Sequence, residues 1–223
     1  MYIRLDRTLL AQHPHMVVSG IVAYGLDTAA LAGPAAAEWP AVDAERAAAV
    51  VGDWKRQHKV LSADKNARSS IAYLVKAAAR GSLRRIHPLV DLYNHASLRC
   101  LGPFGGEDIS CLAGGLELRC AMGDEVFRPL GHAEEIEHPG PGEVAWFDGA
   151  GRVVCRALNW LESDLHKITA DTRDVVFVSE RPSPAFPDPE SGMEWLAARL
   201  VPHCDRLIRT RVDAATPVFD AGA

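Results

Sequence analysis

Apolar and polar positions alternate along this chain in two regimes. Near the start, Tyr2-Ile3-Arg4-Leu5 and the stretch His15 to Tyr24 are short apolar runs that predict two strands. The longest apolar run, Met16-Val17-Val18-Ser19-Gly20-Ile21-Val22-Ala23, reads as a core strand and falls far short of a bilayer span. The period then lengthens towards that of a helix. Asp43 stands where an N-cap belongs, and Ala47, Val50, Val51 and Trp54 share one face of a helix from Ala44 to about His58. Ile71, Leu74, Val75 and Ala78 form the inner stripe of a second helix, about Ala67 to Arg80, with Gly81 at its stop. Leu89 to Arg99 is expected to be a third, shorter one.

From Ile86 onward the texture changes. Strand-like runs cover Gly115–Cys120, Glu125–Leu130, Glu143–Phe147, Arg152–Leu158 and Asp174–Glu180. Ala121-Met122-Gly123-Asp124 and Asp148-Gly149-Ala150-Gly151 read as hairpin turns, and Asp171 or Thr172 as the cap of a turn before the last strand. Pro182 to Pro189 holds four prolines and is expected to be an extended linker. A helix from about Gly192 to Leu200, with Trp195 and Leu196 inward, precedes an expected frayed tail from Asp213 to Ala223. Helices grouped early and strands grouped late make this an α+β chain. Its parts are residues 1–85 (strands, helices and a basic stripe), 86–181 (a core) and 182–223 (linker, helix and tail), together one compact domain.

Composition narrows the class. With 223 residues, 48% apolar and 24% charged, the chain can bury a substantial core without staples. Met1 to Arg7 lacks the cationic-then-apolar layout of a secretory leader, so a soluble, cytoplasmic protein is expected. The five cysteines (Cys100, Cys111, Cys120, Cys155, Cys204) include no C-x-x-C pair and read as reduced thiols. His13-Pro14-His15 has no third ligand at a diagnostic spacing, so no metal is expected. G-x-S-x-G and Walker motifs are both missing.

Net charge is −5, but its distribution is uneven. Residues 1–88 hold 12 Lys/Arg against 7 Asp/Glu, whereas residues 89–223 hold 12 against 22. Nine of those cations lie between Lys55 and Arg85, beside a single acid, Asp64. Lys76, Arg80 and Arg84 are spaced four apart and share one face if the helix reaches Arg84. With Arg85 they offer a polyanion a local basic surface despite the negative total.

Three segments concentrate chemistry: Pro88 to His95, Gly102 to Asp108, and Cys155 to Thr169. Gly105-Gly106 lets a ligand approach the main chain, and Glu107 and Asp108 directly follow, an arrangement suited to gripping an ammonium group. Arg156 to Lys167 packs Asn159, Trp160, Glu162, Ser163 and Asp164 together at the end of an apolar strand, where sites are often built. The same density would also suit a long connection held by an Arg156–Glu162 or a Lys167–Asp164 ion pair.

In this order the segments resemble the B3/B4 domain family, whose best-known member is the editing module of the bacterial phenylalanyl-tRNA synthetase beta subunit. The resemblance spans roughly Ile86 to Glu180 and rests on Val90-Asp91-Leu92-Tyr93-Asn94, Gly105-Gly106-Glu107-Asp108, Leu130-Gly131, Pro141-Gly142-Glu143-Val144, and Asn159-Trp160 through Thr169 with Thr172. It implies a mostly antiparallel β core flanked by helices, and the hydrolysis of mischarged aminoacyl esters at a tRNA 3′ end without a cofactor. Asp91 and Asn94 match the family's Asp-x-Thr-Asn segment, with Tyr93 in place of its threonine. The family's histidine falls on Gly105, and its glycine-rich pocket wall on Arg156 to Trp160, which mark a different pocket. On this reading Glu107 and Asp108 hold the α-ammonium, and Asn94 or Arg156 polarises the ester carbonyl. Asp91, Tyr93, Gly105, Gly106, Asn159, Glu162 and Asp164 line the pocket. Trp160 stacks on the terminal adenine, while Lys76, Arg80, Arg84, Arg85 and Lys167 hold the acceptor stem. The implied partner is tRNA, not DNA or a membrane. Two other classes stay open: a module that binds tRNA or a free amino acid without chemistry, and a small-molecule or partner-binding protein.

Overall fold

The structure, a computed structural model, describes residues 1–62 and 64–222. Its elements run β1 (Tyr2–Leu5), α1 (Arg7–Gln12), β2 (Val17–Tyr24), α2 (Ala32–Ala35), α3 (Ala44–Leu61), α4 (Ser70–Ala79), α5 (Pro88–Cys100) and β3 (Gly105–Asp108). They continue through β4 (Leu116–Cys120), β5 (Val144–Asp148), β6 (Val153–Arg156), β7 (Leu161–Glu162), β8 (Val175–Arg181), α6 (Glu190–Leu200), β9 (Arg206–Val212) and β10 (Val218–Asp220). Local chemistry sets the helix bounds. Asp43 caps α3 by accepting from the Arg46 amide at 2.8 Å. Proline opens α5, and Leu101, at φ +58°, closes it.

The strands form two sheets, ordered β10-β1-β4-β5-β6-β7 and β3-β8-β2-β9. All described pairings are antiparallel except β1 with β4, so the fold is α+β with a mostly antiparallel core. The register of β2 on β8 puts Val18, Val22, Val176 and Val178 on one face of the smaller sheet. That face packs against Leu116, Leu118, Trp146 and Val154 of the larger sheet, where Trp54 of α3 and Ile71 of α4 join the same core. Burying a side chain of this size contributes roughly 1.5–3 kcal/mol. The opposite face, with Ile21, Ala23, Val175 and Phe177, lies under α5 and α6.

Several expectations are corrected. Glu125–Leu130 is not a strand but part of a long excursion from β4 to β5, with isolated bridges at Phe127–Glu137 and Pro129–Ser163. Phe127 is buried there over Ala145, Phe147 and Val153, while Pro129 has no amide to give a ladder. Ala121–Asp124 is accordingly no hairpin turn. Asp148–Gly151 is one, joining β5 to β6 with Gly151 at φ +78°. Gly105–Asp108 is an edge strand on β8. The tail expected to fray contains β10, which pairs with β1, and the Ala221 amide donates to the Met1 carbonyl at 2.9 Å. Ala223 lies outside the described residues. α4 stops at Ala79, and Gly81 at φ +62° turns the chain away, so Arg84 leaves the helical stripe of Lys76 and Arg80. Residues 182–189 form no helix or strand, but Phe186 anchors them on Trp54, ring centroids 4.8 Å apart. Among the described residues no helix is long and apolar enough to cross a membrane.

Candidate functional site

Strand alternation decides which acids meet. Along β3, Gly105 and Glu107 pair with Val178 and Val176 and share their face, so Glu107 points into the space between the sheets. Glu180 continues the same face of β8 two residues beyond Val178. Across the gap, Trp146, Cys155 and Glu162 are register partners on β5, β6 and β7 and share the facing wall. The Trp146 indole donates to Glu180 at 2.7 Å, and the Asn159 amide donates to its other oxygen at 3.2 Å. Glu107 and Glu162 are neighbouring carboxyls, each shifting the other's titration. Glu107 Oε2 and Glu162 Oε1 are buried and meet no donor among the described residues. Tyr93 of α5 lies edge-on to Phe177, ring centroids 6.2 Å apart. A Cβ at Gly106 would come 2.9 Å from the Phe177 ring and 3.2 Å from that of Tyr93, so glycine is what lets that helix close on the strand.

Burial dominates the electrostatics of this cluster. It lifts Glu162 and Glu180 to about 7 and Glu107 well above the carboxylate range, the last further raised by its neighbour Glu162. The Cys155 thiol and the Tyr93 phenol are pushed up for the same first reason. All three glutamates are thus displaced towards the protonated form, Glu107 with the added influence of Glu162. Among the described residues no lysine or arginine offsets any of these carboxyls. Among the described residues no three histidine, cysteine or acidic side chains converge as metal ligands would.

A strained turn delivers Asn159 to the cluster. Ala157 and Leu158 both have left-handed backbone, φ +49° and +66°. Each such residue costs of the order of 1–3 kcal/mol unless its surroundings hold it. Buried Glu143 does so, accepting from the Ala157 amide and from Arg156 at 3.1 Å each. Arg156 also pairs with Glu137 at 2.7 Å. It neighbours Cys155 on a strand and so faces the other way, away from the glutamates.

Several other expected site residues lie apart from the cluster. Asp108 binds the Ser110 amide and hydroxyl with one oxygen and the Thr172 hydroxyl, at 2.6 Å, with the other. Asp91 accepts from the Ile86 amide at 2.9 Å and braces the start of α5. Asn94 is half-buried, about 100° around that helix from Tyr93. Asp164 takes the Gly131 amide and the Lys167 ammonium, which accounts for its lowered pKa and occupies Lys167. The expected Lys167–Asp164 pair is thus present, whereas Arg156 meets Glu143 and Glu137 instead of Glu162. Trp160 donates to the Tyr73 hydroxyl at 3.3 Å, forming an aromatic pair one helical turn from Lys76. Lys76, Arg80 and Arg84 are exposed. Arg85 is occupied: it donates to the Ala35 and Ala37 carbonyls and lies 3.9 Å over the Trp39 ring. That ring heads a column through His95, Trp195 and Arg199, with His95 and Trp195 stacked at 4.2 Å.

Glu180, Trp146 and Cys155 were not expected at the site. Glu180 carried a usable signal, since it follows Val176 and Val178 at strand period on a core-facing parity.

The model of the B3/4 domain family matches residues 55–186. No curated protein matches the chain. Among solved structures, an N-terminal fragment of the phenylalanyl-tRNA synthetase beta-subunit from Pyrococcus horikoshii is similar over 93% of this chain, at 14% identity and a TM-score of 0.46. The chain spans about half of that fragment, 53%.

Proposed function

This chain belongs to the B3/4 domain family, and we propose that it receives the aminoacylated 3′ end of a tRNA and hydrolyses the ester at the Glu107–Glu162 pair. The observation that carries the reading is that pair itself: two neighbouring carboxyls with buried, unpartnered oxygens, both raised by burial, Glu162 to about 7. A carboxylate tuned to neutral pH suits a general base, and its protonated neighbour suits a general acid. Glu162 takes a proton from water as the oxygen attacks the ester carbonyl carbon. Glu107 then gives its proton to the departing ribose oxygen, releasing amino acid and tRNA. The substrate's α-ammonium lies against Glu180, supplying the cation that the cluster lacks. Tyr93, Gly105, Gly106 and Asn159 shape the walls. Trp160 and Tyr73 offer the terminal base a stacking platform, and Lys76, Arg80 and Arg84 reach phosphates.

A second reading, binding without chemistry, is favoured by Arg156. The expected polariser of the ester carbonyl is held by Glu143 and Glu137 on the far side of its strand.

A panel of mischarged tRNAs separates the two. One member is expected to be deacylated well above the buffer rate, with Glu162→Gln and Glu107→Gln each slowing release about 10²–10⁴-fold. Salt-sensitive retention of tRNA with the ester intact would establish the second reading. Deacylation that survives Glu162→Gln unchanged would overturn the first.

A further inference from the structure

A cavity of about 1180 Å³ lies between α3, α4 and residues 38–42. None of the residues of the carboxyl cluster lines it, and the 157–160 turn stands between the two. His58 marks that boundary: it lines the cavity, but its ring nitrogens are engaged by the Trp54 and Ala157 carbonyls. The space exists because the facing helices present small side chains, among them Ala48, Ala72 and Ala78, where larger ones would interdigitate.

The two ends of this cavity differ in chemistry. α4 begins at one end, where Ser69 is in N-cap position but its side chain caps nothing. Ser69 Oγ and the Trp54 indole nitrogen are both buried and without a partner, and both residues line the cavity. Lys55, Lys59, Lys65 and Arg68 also line it, against the acids Glu38 and Asp64. The positive end of the helix dipole adds to that field. Val42, Val75, Ala78 and Leu83 line the other end, where Lys76 in the last turn of α4 is the one cation among them. The ten residues of α4 span about 15 Å between the two, close to the length of a medium-chain alkyl tail.

We propose that this cavity binds a small amphipathic anion, its carboxylate or phosphate head at Ser69, Trp54 and the lysines and its alkyl or aryl tail along the alanine-lined floor. Charge complementarity selects the anion, and the unpartnered indole N–H and hydroxyl select an acceptor head. The site is separate from the carboxyl cluster, although Tyr73 and Lys76, which the deacylase reading gives to the tRNA, are also on its wall.

Calorimetric titration of the full chain below micellar concentrations tests it, with dodecanoate, dodecyl phosphate, acetate and dodecyltrimethylammonium as probes. One equivalent of dodecanoate or dodecyl phosphate is expected to bind, the stronger of the two identifying the head, while acetate and the cation do not. Ala48→Phe, which fills the floor, is expected to weaken binding about tenfold, the effect of displacing a few methylenes. Lys55→Glu with Lys59→Glu is expected to abolish the preference for anions. Circular dichroism and thermal unfolding confirm that each variant folds, and Val51→Phe repeats the filling test at a second position. Failure of both anions to bind, equal binding of the cation, or wild-type affinity in both filled variants overturns the proposal. So does a ligand-free dimer that Ala48→Phe dissociates, which would assign the cavity to a second copy of the chain.

Discussion

Glu180 illustrates what burial does to an acid whose partners are all neutral. It accepts from Trp146 and Asn159, yet desolvation outweighs both and lifts it from 4.5 to about 7. The folded state therefore binds more protons than the unfolded chain between those values, and stability falls as pH rises through that window. Below 4.5 the contribution is fully present. A displacement of this size corresponds to about 3 kcal/mol, and Glu107 and Glu162 act in the same direction. Urea unfolding is expected to show a lower midpoint at pH 8 than at pH 5, with Glu180→Gln flattening the difference. Equal losses in wild type and variant would contradict that. At this scale the sequence is only partly legible. Glu107 and Glu162 stand out because they sit in chemically dense segments, but whether neighbours such as Glu107 and Asp108 share a site depends on strand parity. Gly105–Asp108 looks like a turn until its pairing with β8 is known. Glu180 hides because it ends a run of core valines and reads as the last residue of a strand.

Among the elements, the turn between β6 and β7 depends most on a single contact. Arg156 and the Ala157 and Gly140 amides satisfy Glu143, which is fully buried, and Arg156 is its one cationic partner among the described residues. Removing one member of such a pair leaves the other charge buried and uncompensated, a loss of about 3–5 kcal/mol. Arg156→Ala is therefore expected to lower the melting temperature markedly, and Glu143→Gln with Arg156→Met to recover much of it. Were Arg156 instead a group that touches substrate, Arg156→Ala would lose activity at unchanged stability. Helices α3 and α5 were readable from the sequence because their caps and apolar stripes are local. β9 was not, since Arg206-Leu207-Ile208-Arg209-Thr210-Arg211-Val212 is an edge strand whose exposed charges mask its alternation. The 121–143 excursion misleads in the opposite way, because Phe127 is apolar for the sake of a sheet face it covers rather than a strand it belongs to.

Over the whole molecule, charge and topology follow different rules. The cations from Lys55 to Arg85 form no single stripe once α4 ends at Ala79. If tRNA binds as proposed, alanine at Lys76, Arg80 or Arg84 is expected to lower the slope of log affinity against log salt by about 1 each. Arg85→Ala is expected to leave that slope alone and to destabilise the 35–39 segment instead, because its guanidinium already has partners. A filter-binding salt titration with a parallel melt distinguishes these outcomes. The α+β class could be read from the order of elements, but the pairing of β1 with both β4 and β10 could not, since no local pattern encodes partners more than a hundred residues apart. That pairing carries a kinetic consequence. The larger sheet needs residues 2–5 and 218–220 together, and the smaller one needs 17–24 and 206–212. During synthesis neither can be completed until residues 206–220 have left the ribosome, so nascent β1 and β2 wait with open hydrogen-bonding edges. Chaperones that shield such edges would then influence how much of the protein reaches its native state.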